Sequence, residues 1–191
     1  MHDLAGIIVD ERYSLDEILG TGAYGVVYLA TDTAPGANEA QYAIKVVQKI
    51  GRSPTAVEKI HREAEIQSTV CAHRNIVTIH DAFEDADHIF FVLDRCTGGD
   101  LRRHVSGEGT YLKDEGKLRR VLVSLIDAVE ACHDKHVFHR DLKPENIFTN
   151  EDGSEAYLGD FGLATYLSST SELGHGTMPY MSPGEPTRAI G

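Results

Sequence analysis

Cysteine is scarce in this chain and shows no pairing pattern. Among 191 residues there are three, Cys71, Cys96 and Cys132, widely spaced and with no CxxC pair. That excludes a disulfide framework and a zinc knuckle. It fits a reducing compartment, so a cytoplasmic location is expected, with nuclear access left open. Positive charge is also short. Lys and Arg number 18 against 30 Asp and Glu, a formal net charge of −12. With no basic run, no nucleic-acid partner is expected. No apolar run approaches the roughly 20 residues of a membrane helix, so no membrane partner is expected either. The apolar patch at Ile7–Val9 is too short for a signal peptide and is flanked by acids. No repeat and no low-complexity tract is present. Histidine is plentiful, at 10 residues. But His61, His73 and His80 fall at irregular spacing with no carboxylate pattern, which argues against a histidine metal site. A hydrophobic share of 41% and a charged share of 25% are those of a globular chain with a sizeable core.

The first half reads as strands. Tyr13–Gly20 runs into Gly20-Thr-Gly22-Ala-Tyr-Gly25-Val-Val-Tyr-Leu-Ala30. A GxGxxG alone is a weak signal, because dinucleotide-binding folds carry it too. There the glycines open a helix, whereas Val26, Val27, Tyr28 and Leu29 favour a strand. The stretch is therefore a hairpin whose tip can lie close over phosphates. No Gly-Lys-Ser/Thr follows, which excludes a Walker-type loop. After a polar loop over 31–40, Gln41–Gln48 returns as a strand with Lys45 among apolar neighbours. Taken alone, such a lysine snorkels to the surface.

Ser53-Pro54 starts a helix, with Ser as the cap and Pro at the first helical position. Its composition carries it to about Val70. Glu63 and Glu65 lie about 200° apart around it, so only one can face Lys45. Two strands are expected next, Ile76–Phe83 and His88–Asp94. Ile89–Leu93 is apolar enough to be buried on both faces. Asp94-Arg-Cys96-Thr-Gly-Gly-Asp100 breaks the pattern. Leu118–Cys132 is the clearest helix, apolar around much of its circumference, so partners on more than one side are expected. Val137-Phe138 then delivers the chain into His139-Arg-Asp-Leu-Lys-Pro-Glu-Asn146, where Pro144 forbids a regular helix. A carboxylate, an amine and an amide in one stiff loop suit phosphoryl transfer, in which positioning and electrostatics supply most of the catalysis. A short strand precedes Asp160-Phe161-Gly162. A serine-rich stretch, Ser168–Ser171, follows, and then Gly176–Glu185.

These stretches, in this order, resemble the glycine hairpin, strand lysine, αC helix, catalytic loop and metal-binding triplet of protein kinases. The resemblance covers about Tyr13–Pro183. It implies an α+β, two-lobed protein-kinase-like fold, with a small antiparallel β-sheet lobe carrying αC and an incomplete helical large lobe. The divisions expected are a leader at 1–12, a small lobe at 13–94, a partial large lobe at 95–185 and a tail at 186–191. The turn Cys71-Ala72 is longer than in most kinases and resembles that of some fungal serine/threonine kinases linked to nutrient and meiotic control.

The resemblance also implies roles. ATP and Mg²⁺ are the expected cofactors, and proteins with Ser or Thr hydroxyls the expected partners. Gly20, Gly22 and Gly25 cover the phosphates. Lys45, held by Glu63, positions them. Val27, Ala43, Leu93 (the gatekeeper), Asp94, Cys96 and Phe148 form the nucleotide site. Asp100 reaches the ribose or a substrate arginine. Asn146 and Asp160 hold Mg²⁺. Asp141 orients the substrate hydroxyl and accepts its proton, and Lys143 neutralises charge on the transferred group. Lys143 in this loop is the serine/threonine form. Arg140 is expected to pair with a phosphate on Ser168–Ser171. The family continues through further helices after this point, and Gly184 separates Pro183 from Glu185. The chain is therefore read as C-terminally truncated, with a weakened large lobe. A catalytically weak nucleotide-binding regulator and a non-functional truncated product are the alternatives.

Overall fold

The structure is a computed structural model that describes residues 3–22, 25–105, 111 and 114–166. The chain divides into two compact units. The first comprises Met1–Ala64 and Thr78–Arg95, the second Glu65–Val77 and Cys96–Gly191.

Along the first unit lie β1 (Ile8–Val9), β2 (Tyr13–Gly22), β3 (Gly25–Asp32), β4 (Gln41–Gln48), the first turns of α1 (Pro54–Val70), β5 (Ile79–Glu84) and β6 (His88–Asp94). The strands form one sheet in the order β1-β2-β3-β4-β6-β5, antiparallel throughout. Residues directly opposite in such a ladder share a face. Val27 faces Lys45 and Leu29 faces Ala43, while Lys45 faces Phe91 and Ala43 faces Leu93. Tyr28, Ile44, Val46, Phe90 and Val92 are thereby sent to the other side, where they join Tyr13 and Leu15 in one core. On the lysine side, Val47, Ile89 and Phe91 are covered by Val57, Ile60 and Ala64 of α1. The helix starts as its cap residues dictate: Ser53 Oγ accepts the Ala56 N–H at 3.3 Å.

Along the second unit lie the last turns of α1, β7 (Gly99–Asp100), α2 (Leu101–Val105), α3 (Glu115–Asp134), β8 (Val137–Phe138), a 3-10 turn at Pro144–Asn146, β9 (Ile147–Thr149), β10 (Ala156–Leu158) and β11 (Thr165–Tyr166). Two small sheets are built from these strands, β10-β9-β7 and β11-β8. The Asp114 carboxylate caps α3 by accepting the Lys117 N–H at 2.8 Å. Val121, Ala128 and Cys132 of α3 share a core with Ile66, Val70, Ile76, Val137, Ile147, Leu158 and Phe161. The opposite flank of α3 leaves Leu122, Val123 and Ile126 exposed. So among the described residues only one flank of this helix is packed, where its sequence suggests more. Among the described residues no helix is long and apolar enough to cross a membrane.

Three boundaries differ from the sequence reading. Of the expected leader, the described residues 3–12 are tied into the first unit: Leu15 donates its N–H to Ile7 O at 2.9 Å, and Val9 is buried. The strand expected from Ile76 begins at Ile79. The backbone of Val77 is committed elsewhere, its N–H to Leu158 O at 2.9 Å and its carbonyl to Gln67 Nε2 at 2.8 Å. Residues Glu65–Val77 also fall in the second unit rather than with the rest of 13–94, because Ile66, Val70 and Ile76 are buried in that unit's core. Ser168–Ser171, Gly176–Thr177 and Pro183–Glu185 lie outside the described residues.

Candidate functional site

In the first unit the candidate residues collect on the lysine face of the sheet. Lys45 Nζ lies 2.5 Å from Glu63 Oε1, and each side chain is 13% exposed. Glu65, at the other angular position on α1, points to solvent. Val27, Ala43 and Leu93 share the Lys45 face by register. Of the three glycines, Gly25 is required by close packing. A Cβ there would stand 2.2 Å from Val46 O, whereas among the described residues nothing lies within 4 Å of a Cβ at Gly20 or Gly22. The hairpin is therefore clamped to β4 at Gly25 and open at Gly20 and Gly22, as a cradle for a bulky anion has to be. Leu19, which precedes Gly20 and is 47% exposed, is an apolar side chain at this open edge that the sequence reading passed over. Its signal was a large hydrophobic beside the first glycine.

Asp94 is held by contacts invisible in the sequence. Its Oδ2 accepts the Thr78 N–H at 2.9 Å and its Oδ1 pairs with His80 Nε2 at 2.7 Å. Burial pulls its pKa up, but these hydrogen bonds outweigh that and hold it below the usual carboxylate range. Its own N–H donates to Thr78 O at 3.1 Å.

In the second unit the loop His139–Asn146 is organised around Asp141, which is 8% exposed. Lys143 Nζ donates to Asp141 Oδ2 at 2.7 Å. Asn146 Nδ2 donates to Asp141 O at 2.9 Å and to Asp141 Oδ2 at 3.0 Å. Burial alone lowers the pKa of Lys143. The hydrogen bond to Asp141 and the charges of Asp141, Asp160 and Glu145 outweigh it, so the ammonium is held above its ordinary range. His139 supports the loop from below. It accepts the Asp141 N–H on Nδ1 at 3.3 Å, so Nε2 carries the proton and donates to Gly159 O at 2.9 Å. Burial keeps this imidazole neutral by lowering its pKa.

Gly159 joins the loop to Asp160. Its N–H donates to Asn146 O at 3.0 Å, and a Cβ there would meet the Phe148 ring at 2.8 Å. Phe148 is thus packed closely against bare backbone beside the acid. Arg140 and Asp160 both adopt left-handed backbone, with φ of 66° and 55°. Non-glycine residues hold such angles only where surrounding contacts overdetermine them, commonly at functional sites. The anchor beside Asp160 is Phe161, fully buried, with its ring 4.8 Å from that of His139 in an edge-on contact.

The donor set fits a hard divalent cation. Asn146 spends its amide hydrogens on Asp141, so the atom it has to offer a cation is the oxygen, and Asp160 adds a carboxylate. Cys96 accepts the Gly99 N–H on its carbonyl at 3.3 Å. Asp100 caps α2, its Oδ1 accepting the Arg103 N–H at 3.1 Å.

Comparison with known proteins adds an independent finding. Residues 13–185 match the protein kinase domain family. The chain is 38% identical over 180 residues to the negative regulator of sexual conjugation and meiosis of Schizosaccharomyces pombe, covering 94% of this chain and 38% of that protein. It is 33% identical over 188 residues to calcium-dependent protein kinase 7 of Arabidopsis thaliana, covering 96% and 34% respectively. To calcium-dependent protein kinase 8 of Oryza sativa subsp. japonica it is 35% identical over 188 residues, with coverage of 96% and 34%. The chain therefore spans little more than a third of the length of these three relatives.

Proposed function

Since the chain belongs to the protein kinase family, we propose that it transfers a phosphoryl group from ATP to serine and threonine hydroxyls of proteins. The observation that carries this reading is the contact of Lys143 Nζ with Asp141 Oδ2 at 2.7 Å. It places a cation against the Asp141 carboxylate, the group that accepts the hydroxyl proton on this reading. Bound Mg-ATP supplies the transferable group and a good leaving group; the chain supplies position and charge.

Lys45 is the cation for the α- and β-phosphates, and Glu63 keeps its ammonium extended along the sheet face. The backbone at Gly20 and Gly22 covers the phosphates without side chains in the way, and Gly25 sets the depth of the hairpin through Val46. Val27, Ala43 and Leu93 offer an apolar surface for the base. Asp94 and Cys96 offer main-chain groups to its edge, and Phe148 a flat one to its face. Asn146 and Asp160 hold Mg²⁺ through oxygen. Asp141 orients the substrate hydroxyl and takes its proton, and Lys143 offsets negative charge as the bond to oxygen forms. His139 is a positioning residue: by bonding both the Asp141 N–H and the Gly159 carbonyl it holds the two acids' main chains in register.

The test is phosphotransfer by this chain onto peptides presenting serine, threonine or tyrosine in one common sequence. Label on serine and threonine but not tyrosine is expected. Mg-ATP binding with no transfer to any peptide would sink the reading and leave a nucleotide-binding regulator, which the present contacts do not favour.

A further inference from the structure

Thr149 is completely buried although it is a polar residue, and its surroundings explain why. Its carbonyl accepts the Gly98 N–H at 3.0 Å, and its hydroxyl donates to Gly99 O at 3.3 Å. His104 Nε2 sits 3.1 Å from Gly98 O and 3.0 Å from Thr149 Oγ1. These distances fix the proton inventory. Gly98 O can only accept, so Nε2 carries the hydrogen and shares it with the hydroxyl oxygen, which passes its own to Gly99 O. The imidazole is itself held. Its ring stands 5.6 Å from that of Tyr111, a residue 5% exposed whose hydroxyl donates to Gly153 O at 2.9 Å. The approach at Gly98 is so close that a Cβ would lie 2.0 Å from Asn150 O and 2.4 Å from Thr149 Oγ1.

The network touches two residues assigned above to the nucleotide. Gly99 also donates to Cys96 O at 3.3 Å, so its backbone links the Cys96 turn to Thr149. Phe148 immediately precedes Thr149 on β9 and pairs with Asp100 of β7. We propose that His104 and Thr149 are positioning residues for the adenine-facing part of the nucleotide site. On this proposal the imidazole and hydroxyl together fix the Cys96–Gly99 turn against β9, so that base and ring find a preformed edge and floor. The proposal rests on the kinase reading. It adds specificity: the network acts on recognition of the base and leaves the phosphates untouched.

The test compares Mg-ATP with Mg-tripolyphosphate, which lacks the base, on the parent chain, His104→Ala, His104→Gln, Thr149→Val and Thr149→Ser. Binding is measured by calorimetry at a temperature where circular dichroism shows each protein folded. Losing one such hydrogen-bonding group should weaken ATP binding about three- to tenfold in His104→Ala and Thr149→Val. His104→Gln restores a donor near the Nε2 position and Thr149→Ser keeps the hydroxyl, so both should recover most of that loss. Tripolyphosphate affinity should not change in any of them. Equal weakening for both ligands would make the network a general support of the fold and overturn the proposal. So would unchanged ATP affinity in His104→Ala and Thr149→Val. A parent chain that binds neither ligand overturns the kinase reading itself, and the proposal with it.

Discussion

Asn146 holds Asp141 twice through one nitrogen, donating to its main-chain carbonyl at 2.9 Å and to its carboxylate at 3.0 Å. On the proposed reading the side chain that would hold the cation thus also sets the rotamer of Asp141, and the two tasks cannot be separated by mutation at residue 146. Replacing it as Asn146→Asp turns both donors into an acceptor beside a buried carboxylate. A loss of about 1–3 kcal/mol in urea unfolding at neutral pH is expected from the unpaired buried groups. The loss should shrink in mild acid, where one of the two carboxyls is protonated.

The proposed role of Asp141 is on the hydroxyl and not on the nucleotide. Asp141→Asn should lower kcat by about 10²-fold or more while the Kd for Mg-ATP, read by calorimetry, stays within a few-fold. Parallel losses in both quantities would show that Asp141 belongs to nucleotide binding.

The Lys45–Glu63 pair, each partner 13% exposed, makes a sharp contrast with Glu65, exposed on the same helix. Glu63→Ala leaves a mostly buried ammonium without its carboxylate, at a cost of about 3–5 kcal/mol where such a pair is well buried and correspondingly less here. Glu65→Ala should fall within about 0.5 kcal/mol of the parent. Thermal melts of the two variants check this directly, and equal destabilisation would contradict the pairing.

Stability should fall as pH drops through the histidine range, and His139 is one cause. Burial lowers its folded-state pKa below the ordinary 6.5. Between those two values the unfolded chain binds a proton that the folded chain refuses. Its contribution is therefore fully present above about pH 6.5 and is lost progressively as pH falls towards the folded value. His139→Asn should flatten that part of the stability profile. The slope of unfolding free energy against pH between 7 and 5 is the readout.

Burial also pushes the Cys132 thiol up to about 11, while Cys71 and Cys96 are partly exposed. In the native protein at pH 7.5, maleimide should label Cys71 and Cys96 and spare Cys132 until denaturant is added. Intact mass with peptide mapping counts the adducts.

Much of this was legible because local signals and tertiary demands agreed. Ser53-Pro54 marked the start of α1, and Gln41–Gln48 read as a strand with Lys45 among apolar neighbours before any partner was known. The longer Cys71-Ala72 turn pointed towards fungal meiosis-linked kinases, and a fission yeast regulator of meiosis is among the proteins this chain resembles. What stayed hidden was set by residues far apart in the chain. Ile76 and Val77 read as the head of β5, yet Ile76 donates its N–H to His73 O, and the backbone of Val77 bonds Leu158 and Gln67. Asp94 was read for its backbone, while its carboxylate answers to Thr78 and His80. The His104–Thr149 contact spans 45 positions, and neither residue carries a motif that would announce it. On α3, hydrophobicity counted side chains without saying which neighbours they would find, so Leu122 and Ile126 could not be told from Val121.

The edge-on contact of His139 with Phe161, centroids 4.8 Å apart, makes the site observable by magnetic resonance. Protons on the ring edge that points into its partner's face sit in that ring's shielding cone and should resonate upfield of their random-coil positions. Phe161 directly follows Asp160, so any movement that swings the aspartate away must carry the phenyl ring with it and erase the displacement. A single imidazole or phenyl signal, followed without nucleotide or substrate, would therefore report what fraction of molecules holds Asp160 beside the loop at a given instant.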